Sequence, residues 1–217
     1  MSGLEINSSR SEKLLAARLY VIVDQRLARG SPALLASRIT AAGADIVQLR
    51  AADIPDREHF RLAIDFVRRV RRASGALAII NNRVDIALES DADGVHLGLT
   101  DLPIESARRL LGAGRIIGAT THNTAEARAA ARLGADYLSY GPVFATPLKP
   151  HLKPRGGSYL QAVRRLELPY FAIGGIDATK IGALKTLGIR RIAVCRAVLE
   201  ARNPARAVHQ LERALLG

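Results

Sequence analysis

The sequence predicts an α/β fold, a single (βα)8 TIM barrel, on three observations. Eight short apolar runs alternate with segments of helical period along the 217 residues. The connections between them are short save one, and no dinucleotide-binding glycine fingerprint follows the first run. Strand–helix alternation favours parallel pairing through right-handed crossovers, and eight near-equal units favour closure into a barrel over an open doubly wound sheet. Residues 1–217 read as one domain without a linker, with residues 1–17 as a polar N-terminal extension.

The first strand is Leu19 to Val23, ending at Asp24, and Ser31-Pro32 then supplies an N-cap and a first-turn proline for a helix to Ala42. Gly43-Ala44-Asp45 turns into the second strand, Ile46 to Arg50. A long amphipathic helix from Arg57 to Ala73 is expected to bury Phe60, Ile64, Val67 and Val70. Leu77 to Ile80 is the third strand, and it stops at two amides, Asn81 and Asn82. After a short helix, Asp93-Gly94 turns into the fourth strand, Gly94 to Leu97, followed by Gly98 and Asp101. Pro103 opens a helix to Leu111, and Arg115 to Thr120 is the fifth strand. Asn123 caps a helix to Leu133, stopped by Gly134. Asp136 to Tyr140 is the sixth strand and leaves through the one long loop, Gly141 to Gly157. Tyr159 to Leu166 is helical, Pro169 to Ile173 is the seventh strand, and Asp177 caps a helix to Leu187. Arg191 to Val194 is the eighth strand, and a helix from Pro204 to Leu216 closes the chain.

Composition excludes several classes. Apolar residues make up 48% of the chain, and no run approaches the roughly 20 residues needed to cross a bilayer. The first twenty residues carry acidic side chains and no uninterrupted apolar segment, so they do not read as a secretory signal. Cys195 is the sole cysteine, which rules out an internal disulfide or a cysteine zinc cluster and suits a reducing cytoplasm, the expected location. The net charge of +12 invites a nucleic-acid reading. Against it, the densest run, Arg68 to Arg72, lies on a helix whose core face is already filled, and aromatic content is only 4%. That run reads as a solvated surface, and the excess charge as a means of steering anionic substrates inward. A homo-oligomer is compatible with the sequence.

In a parallel barrel, chemistry collects at the carboxyl ends of the strands. Gly174-Gly175-Ile176-Asp177 after strand seven is a candidate phosphate loop, completed by Val194-Cys195-Arg196-Ala197 after strand eight, and its alternative is a plain tight turn. Gln48 and Arg50 share one face of strand two; facing inward, the arginine requires an anionic ligand or a carboxylate partner. Asp101 is a candidate Mg²⁺ ligand with Asn82 as a neutral companion, or else a cap before Pro103. His122, just beyond strand five, is a candidate proton carrier. His96 reads as barrel packing, while His59, His151 and His209 read as peripheral. The long loop carries Thr146, Lys149, Lys153 and Arg155, a basic set suited to closing over an anion.

Taken in order, these motifs resemble the thiamine-phosphate synthase / thiazole tautomerase family of barrels. The resemblance rests on Leu19-Tyr20-Val21-Ile22-Val23-Asp24, Val47-Gln48-Leu49-Arg50, Asn81-Asn82-Arg83-Val84-Asp85 and Asp93-Gly94-Val95-His96-Leu97-Gly98. It continues through Asp101-Leu102-Pro103, Gly141-Pro142-Val143-Phe144, Ala172-Ile173-Gly174-Gly175-Ile176 and Val194-Cys195-Arg196-Ala197. The resemblance implies that hydroxymethylpyrimidine diphosphate and thiazole phosphate are joined to thiamine phosphate, with Mg²⁺ as cofactor and pyrophosphate released. It assigns Gln48, Arg50, Asn81, Thr120, Thr146 and Lys149 to the pyrimidine diphosphate, and Gly174, Gly175, Cys195 and Arg196 to the thiazole phosphate. Asp101 and Asn82 would hold metal, and Arg50, Lys149 and His122 would be the catalytic set.

Five positions depart from the synthase pattern. Ala52 replaces a lysine, Asn82 an aspartate, Thr120 a serine, Leu148 a threonine and Arg196 a serine. Most of these fall on the diphosphate and metal subsite. Two alternatives therefore stand beside the synthase: the family's metal-independent thiazole carboxylate phosphate tautomerase, with His122 as proton shuttle, and a non-catalytic phosphate-binding barrel. The synthase is the favoured expectation because Gln48, Arg50, Asp101, Thr146 and Lys149 are all retained.

Overall fold

A computed structural model describes residues 10–73, 75–146, 154, 163 and 166–217. Eight parallel strands close into a barrel in sequence order: β1 Leu19–Asp24, β2 Ile46–Arg50, β3 Leu77–Asn81, β4 Gly94–Leu97, β5 Ile116–Thr121, β6 Tyr137–Tyr140, β7 Tyr170–Ile173 and β8 Ile192–Val194. β1 pairs with β8, Leu19 facing Ile192, and this pairing closes the ring. Among the described residues helices surround it, three of them opened by a side-chain N-cap. Ser31, Asn123 and Asn203 accept hydrogen bonds from the backbone N–H groups of Leu34, Glu126 and Arg206, satisfying donors that a helix start leaves unpaired. The helix after β7 begins instead as a 3-10 turn, Ala178–Lys180, capped by Asp177.

The strands are buried on both faces, as parallel sheets demand. Outward side chains such as Val21, Val47, Leu49, Ile80, Val95, Ile117 and Leu138 pack under the helices. Inward ones, including Tyr20, Ile46, Leu77, Ile79, Ile116, Tyr137, Phe171 and Ala193, fill the barrel itself. Leu14 and Ala17 belong to this inner cluster, at 4% and 1% exposure. The end of the expected N-terminal extension is thus the barrel's floor: residues 10–16 are helical, and Arg10 donates to the Asp93 carboxylate and to the Gly114 carbonyl.

A repeated device fastens the foot of the barrel. Asp45, Asp93 and Asp136 immediately precede the even strands β2, β4 and β6. Each carboxylate accepts the backbone N–H of the odd strand before it, from Leu19 at 2.9 Å, Ala78 at 2.9 Å and Ile117 at 2.7 Å. Before β8 the polarity reverses. Arg191 stands there and donates to the carbonyls of Ala17 and Leu15.

Two expectations about the long helix, Asp56–Ala73, are corrected. Its buried face is His59, Ala63, Phe66, Val67 and Val70, while Ile64 is 42% exposed and Phe60 half-buried. His59, read as peripheral, begins this face. Counting histidine as polar rotated the expected stripe by about one residue. Most of the loop from Gly141 to Gly157, and the helix expected from Tyr159, lie outside the described residues, Pro154, Val163 and Leu166 excepted.

Candidate active site

Strand alternation fixes what the barrel mouth presents. The inner cluster contains Tyr20 on β1, Ile46 on β2, Leu77 and Ile79 on β3, Ile116 on β5, Tyr137 on β6 and Ala193 on β8. Two residues further toward each carboxyl end, the same inward parity falls on Ile22 and Asp24, Gln48 and Arg50, Asn81, Gly118 and Thr120, Ser139, and Cys195. Parallel closure sets all of these at one rim.

Arg50 donates through Nη1 to the Asp24 carboxylate, and this pair is the electrostatic centre of the rim. Asp24 is only 6% exposed in its side chain, and it also accepts the Arg26 backbone N–H at 2.9 Å. Arg50 is 43% exposed, so its guanidinium has one edge held and another facing the mouth. Of the two options for Arg50, the structure shows the carboxylate partner, and the exposed part of the guanidinium is the part an anion would have to use. Cys195 stands beside this pair. Burial, with the Asp24 carboxylate adding to it, pushes the thiol up to about 12. A thiol raised this far stays protonated near neutral pH.

Asn81 donates through Nδ2 to Asn82 Oδ1 at 2.6 Å, and the Asn82 N–H donates to the His96 carbonyl at 2.9 Å. Asn82 sits at φ 65°, a left-handed conformation that asparagine tolerates well. Asp101 accepts the Gly98 N–H on Oδ2 at 2.6 Å, which ties its own turn, while Pro103 occupies the cap position of helix Ile104–Leu111. The alternative of Asp101 as helix cap is thus replaced by a turn, and that turn uses one oxygen of the carboxylate. A carboxylate oxygen and an amide oxygen are hard donors of the kind magnesium takes. Among the described residues no three His, Cys, Asp or Glu side chains converge on one point.

The Thr120 hydroxyl meets His96 Nε2 at 3.0 Å, and His96 Nδ1 meets the Tyr137 hydroxyl at 3.0 Å. Tyr137 in turn meets Tyr20 Oη at 2.9 Å, and Gln48 Nε2 donates to Tyr20 Oη at 2.6 Å. A continuous polar chain thus crosses the barrel interior from β2 to β5. Gly118 makes room for it, because a Cβ there would overlap the Tyr137 ring. Sequence reasoning placed His96 in the interior and missed both tyrosines. His122 lies just outside the chain, its Nδ1 3.8 Å from the Glu126 carboxylate and its N–H donating to the same group at 2.6 Å.

Gly174 and Gly175, at φ 104° and 62°, adopt conformations that side chains resist. Their need for glycine is also a packing need. A Cβ on Gly174 would overlap Pro142, and one on Gly175 would overlap the Ala145 carbonyl. Phe144 N–H donates to the Gly174 carbonyl, so the loops after β6 and β7 form one unit beside the expected phosphate subsite. Lys180 holds that unit from behind, donating to the Gly175 carbonyl at 2.6 Å and to Asp177 at 2.8 Å. Thr146 is half-buried at the end of this unit. Arg196 is engaged by Glu200 at 2.5 Å along its own helix turn, which partly offsets its charge. Lys149 lies outside the described residues.

A closed (βα)8 barrel with an arginine–carboxylate pair, an amide pair and a glycine turn on its carboxyl rim belongs to the barrels that act on anionic ligands there. Residues 19–198 match the family model described as thiamine monophosphate synthase. Synechocystis sp. thiamine-phosphate synthase is 42% identical over 213 residues, covering 97% of this chain and 60% of the relative. Mycobacterium sp. (strain KMS) thiamine-phosphate synthase is 38% identical, with 94% of both chains covered. Thiamine phosphate pyrophosphorylase from Pyrococcus furiosus superposes with a TM-score of 0.84 at 34% identity, over 95% of this chain and 97% of that one. The chain belongs to the thiamine monophosphate synthase family. It spans 60% or less of the length of several curated relatives, and nearly the full length of others.

Proposed function

We propose that the protein is a thiamine-phosphate synthase, joining hydroxymethylpyrimidine diphosphate to thiazole phosphate and releasing pyrophosphate. The observation that carries this reading is the similarity to the Mycobacterium synthase across 94% of both chains. In the reaction the bond from the pyrimidine methylene to the diphosphate oxygen breaks, with both electrons leaving on pyrophosphate. The thiazole nitrogen then captures the carbon. Negative charge develops on the leaving group, so fixed positive charge at that point is the main catalytic need.

Arg50 meets the need. Asp24 holds one edge of its guanidinium, which removes rotational freedom before substrate arrives and leaves the remaining N–H groups for the diphosphate. Lys149 is assigned by sequence to the same charge. Gln48 and Thr120 line the inner wall toward the pyrimidine, and Asn81 and Thr146 flank the diphosphate. Asp101 with Asn82 would hold Mg²⁺, which would supply Lewis-acid neutralisation of diphosphate charge. Backbone N–H groups of Gly174, Gly175 and Cys195, with Arg196, would hold the thiazole phosphate.

Purified precursors with Mg²⁺ are expected to yield thiamine phosphate, and Asp101→Ala to lower the rate about a hundred-fold. No product, together with thiazole isomerisation that survives EDTA and disappears in His122→Ala, would transfer the assignment to the tautomerase. Thiazole phosphate binding with neither reaction would indicate a non-catalytic barrel.

A further inference from the structure

Three members of the polar chain inside the barrel, Tyr20, Tyr137 and His96, have no part in the synthase chemistry so far described. All are buried, with the two tyrosines fully so. The Tyr137 and His96 rings stack with centroids 5.5 Å apart, and Phe171 meets both tyrosines edge-on at 5.4 and 5.6 Å. Burial pushes both phenols above their ordinary range, so both remain protonated and each has one hydrogen to give.

Counting hydrogens then fixes a direction. Gln48 Nε2 donates to Tyr20 Oη, so the Tyr20 hydrogen goes to its other neighbour, Tyr137 Oη. The Tyr137 hydrogen must then go to His96 Nδ1. With Nδ1 accepting, the imidazole carries its proton on Nε2 and donates it toward Thr120 Oγ1 at 3.0 Å, with Ser139 Oγ at 3.3 Å as a second oxygen on that side. Reversing any one bond would face two hydrogens or two lone pairs at each other inside a dry core, so the links turn over together or not at all.

We propose that Tyr20, Tyr137 and His96 are positioning residues that form a one-way hydrogen-bond relay, locking the Gln48 amide and the Thr120 hydroxyl into linked polarities at the barrel mouth. Gln48 gives one of its two amide hydrogens to Tyr20, which fixes the turn of the amide and presents its carbonyl as the acceptor for a ligand. Thr120 receives from His96 and keeps its own hydrogen as a donor. The mouth thus offers an acceptor from β2 and a donor from β5, the complement of a heterocycle carrying both an exocyclic amine and an unprotonated ring nitrogen. This deepens the synthase reading and rests on it for the substrate, an aminopyrimidine.

The test is the ¹⁵N signature of His96, which needs no substrate and so decides the relay even where absent turnover sinks the synthase reading. Wild type is expected to show a neutral Nε2–H imidazole. Gln48→Glu, held ionised above neutral pH, replaces the first donor with an acceptor and is expected to switch His96, three hydrogen bonds away, to the Nδ1–H form. Tyr137→Phe keeps the ring and removes only the relaying oxygen. It is expected to leave a mixture of tautomers, to block the Gln48→Glu switch when combined with it, and to raise KM for the pyrimidine diphosphate about ten-fold without moving that for thiazole phosphate. An Nδ1–H or doubly protonated His96 in wild type would overturn the relay. So would a signature unmoved by Tyr137→Phe, the variant that decides the matter if Gln48→Glu does not fold.

Discussion

The foot and the mouth of this barrel are made by the same eight strands, yet they use charge in opposite ways. At the foot each carboxylate of the repeated device accepts a backbone N–H across a strand seam. Asp93 takes Arg10 on one oxygen at 2.8 Å and the Ala78 N–H on the other, and Asp136 takes Arg108 and the Ile117 N–H. At the mouth the pairing is incomplete by construction. Asp24 occupies one edge of Arg50 and leaves the rest, Asp101 spends one oxygen on its own turn, and the carbonyls of Gly174 and Gly175 are tied back by Phe144 and Lys180. Carboxylates bound to backbone N–H groups hold strands in register, whereas the exposed edge of Arg50 and the second oxygen of Asp101 are the groups expected to meet a ligand. The contrast predicts which end answers to stability and which to turnover.

The largest effect is expected at the foot. Asp93→Ala strands the Arg10 guanidinium and the Ala78 N–H in a nearly dry site, and should cost about 3 kcal/mol in urea unfolding while leaving turnover per folded molecule unchanged. Arg50→Lys at the mouth keeps the charge but loses the planar fork that serves Asp24 and an anion together. Turnover should fall about ten-fold, equivalent to ~1.4 kcal/mol in the barrier, with the unfolding midpoint scarcely moved. If instead Asp93→Ala lowered turnover and Arg50→Lys lowered only stability, the division between the two ends would fail.

The smallest effect concerns His59, which belongs to neither end. Burial, reinforced by the nearby Arg83 charge, lowers its pKa below the ordinary histidine value of 6.5. The unfolded chain then binds the proton more readily than the folded one, so this residue's stability contribution is complete above that value and declines as pH falls through it. His59→Leu should flatten that part of the stability–pH curve, as read by unfolding midpoints on either side of it.

Much of the architecture was legible because the strands are short apolar runs, several ending in a polar residue such as Asp24, Arg50 or Asn81, and Gln48 and Arg50 could be turned inward by alternation alone. The same parity would have placed Tyr20 and Tyr137 beside them. They escaped notice because a tyrosine in a strand reads as core, and because the hydroxyls that meet are 117 residues apart. Leu14 and Ala17 were missed for a related reason: a short amphipathic turn among polar neighbours shows its purpose only once the floor it seals exists. The glycine turn was recognised, but its packing against Pro142 and Ala145 depends on a neighbouring loop that no local pattern announces. The Asp before β2, β4 and β6 was present as a repeated Ala-Asp step, and its meaning depended on knowing which strand each would face.

The central claim is that the half-used groups of the mouth act as one site for phosphorylated heterocycles. A crystal structure with thiamine phosphate and pyrophosphate bound tests it most directly. Pyrophosphate is expected against Arg50 and Asp101, the pyrimidine between Gln48 and Thr120, and the thiazole phosphate over Gly175. Product bound away from the carboxyl rim, or with Arg50 still turned wholly toward Asp24, would contradict it.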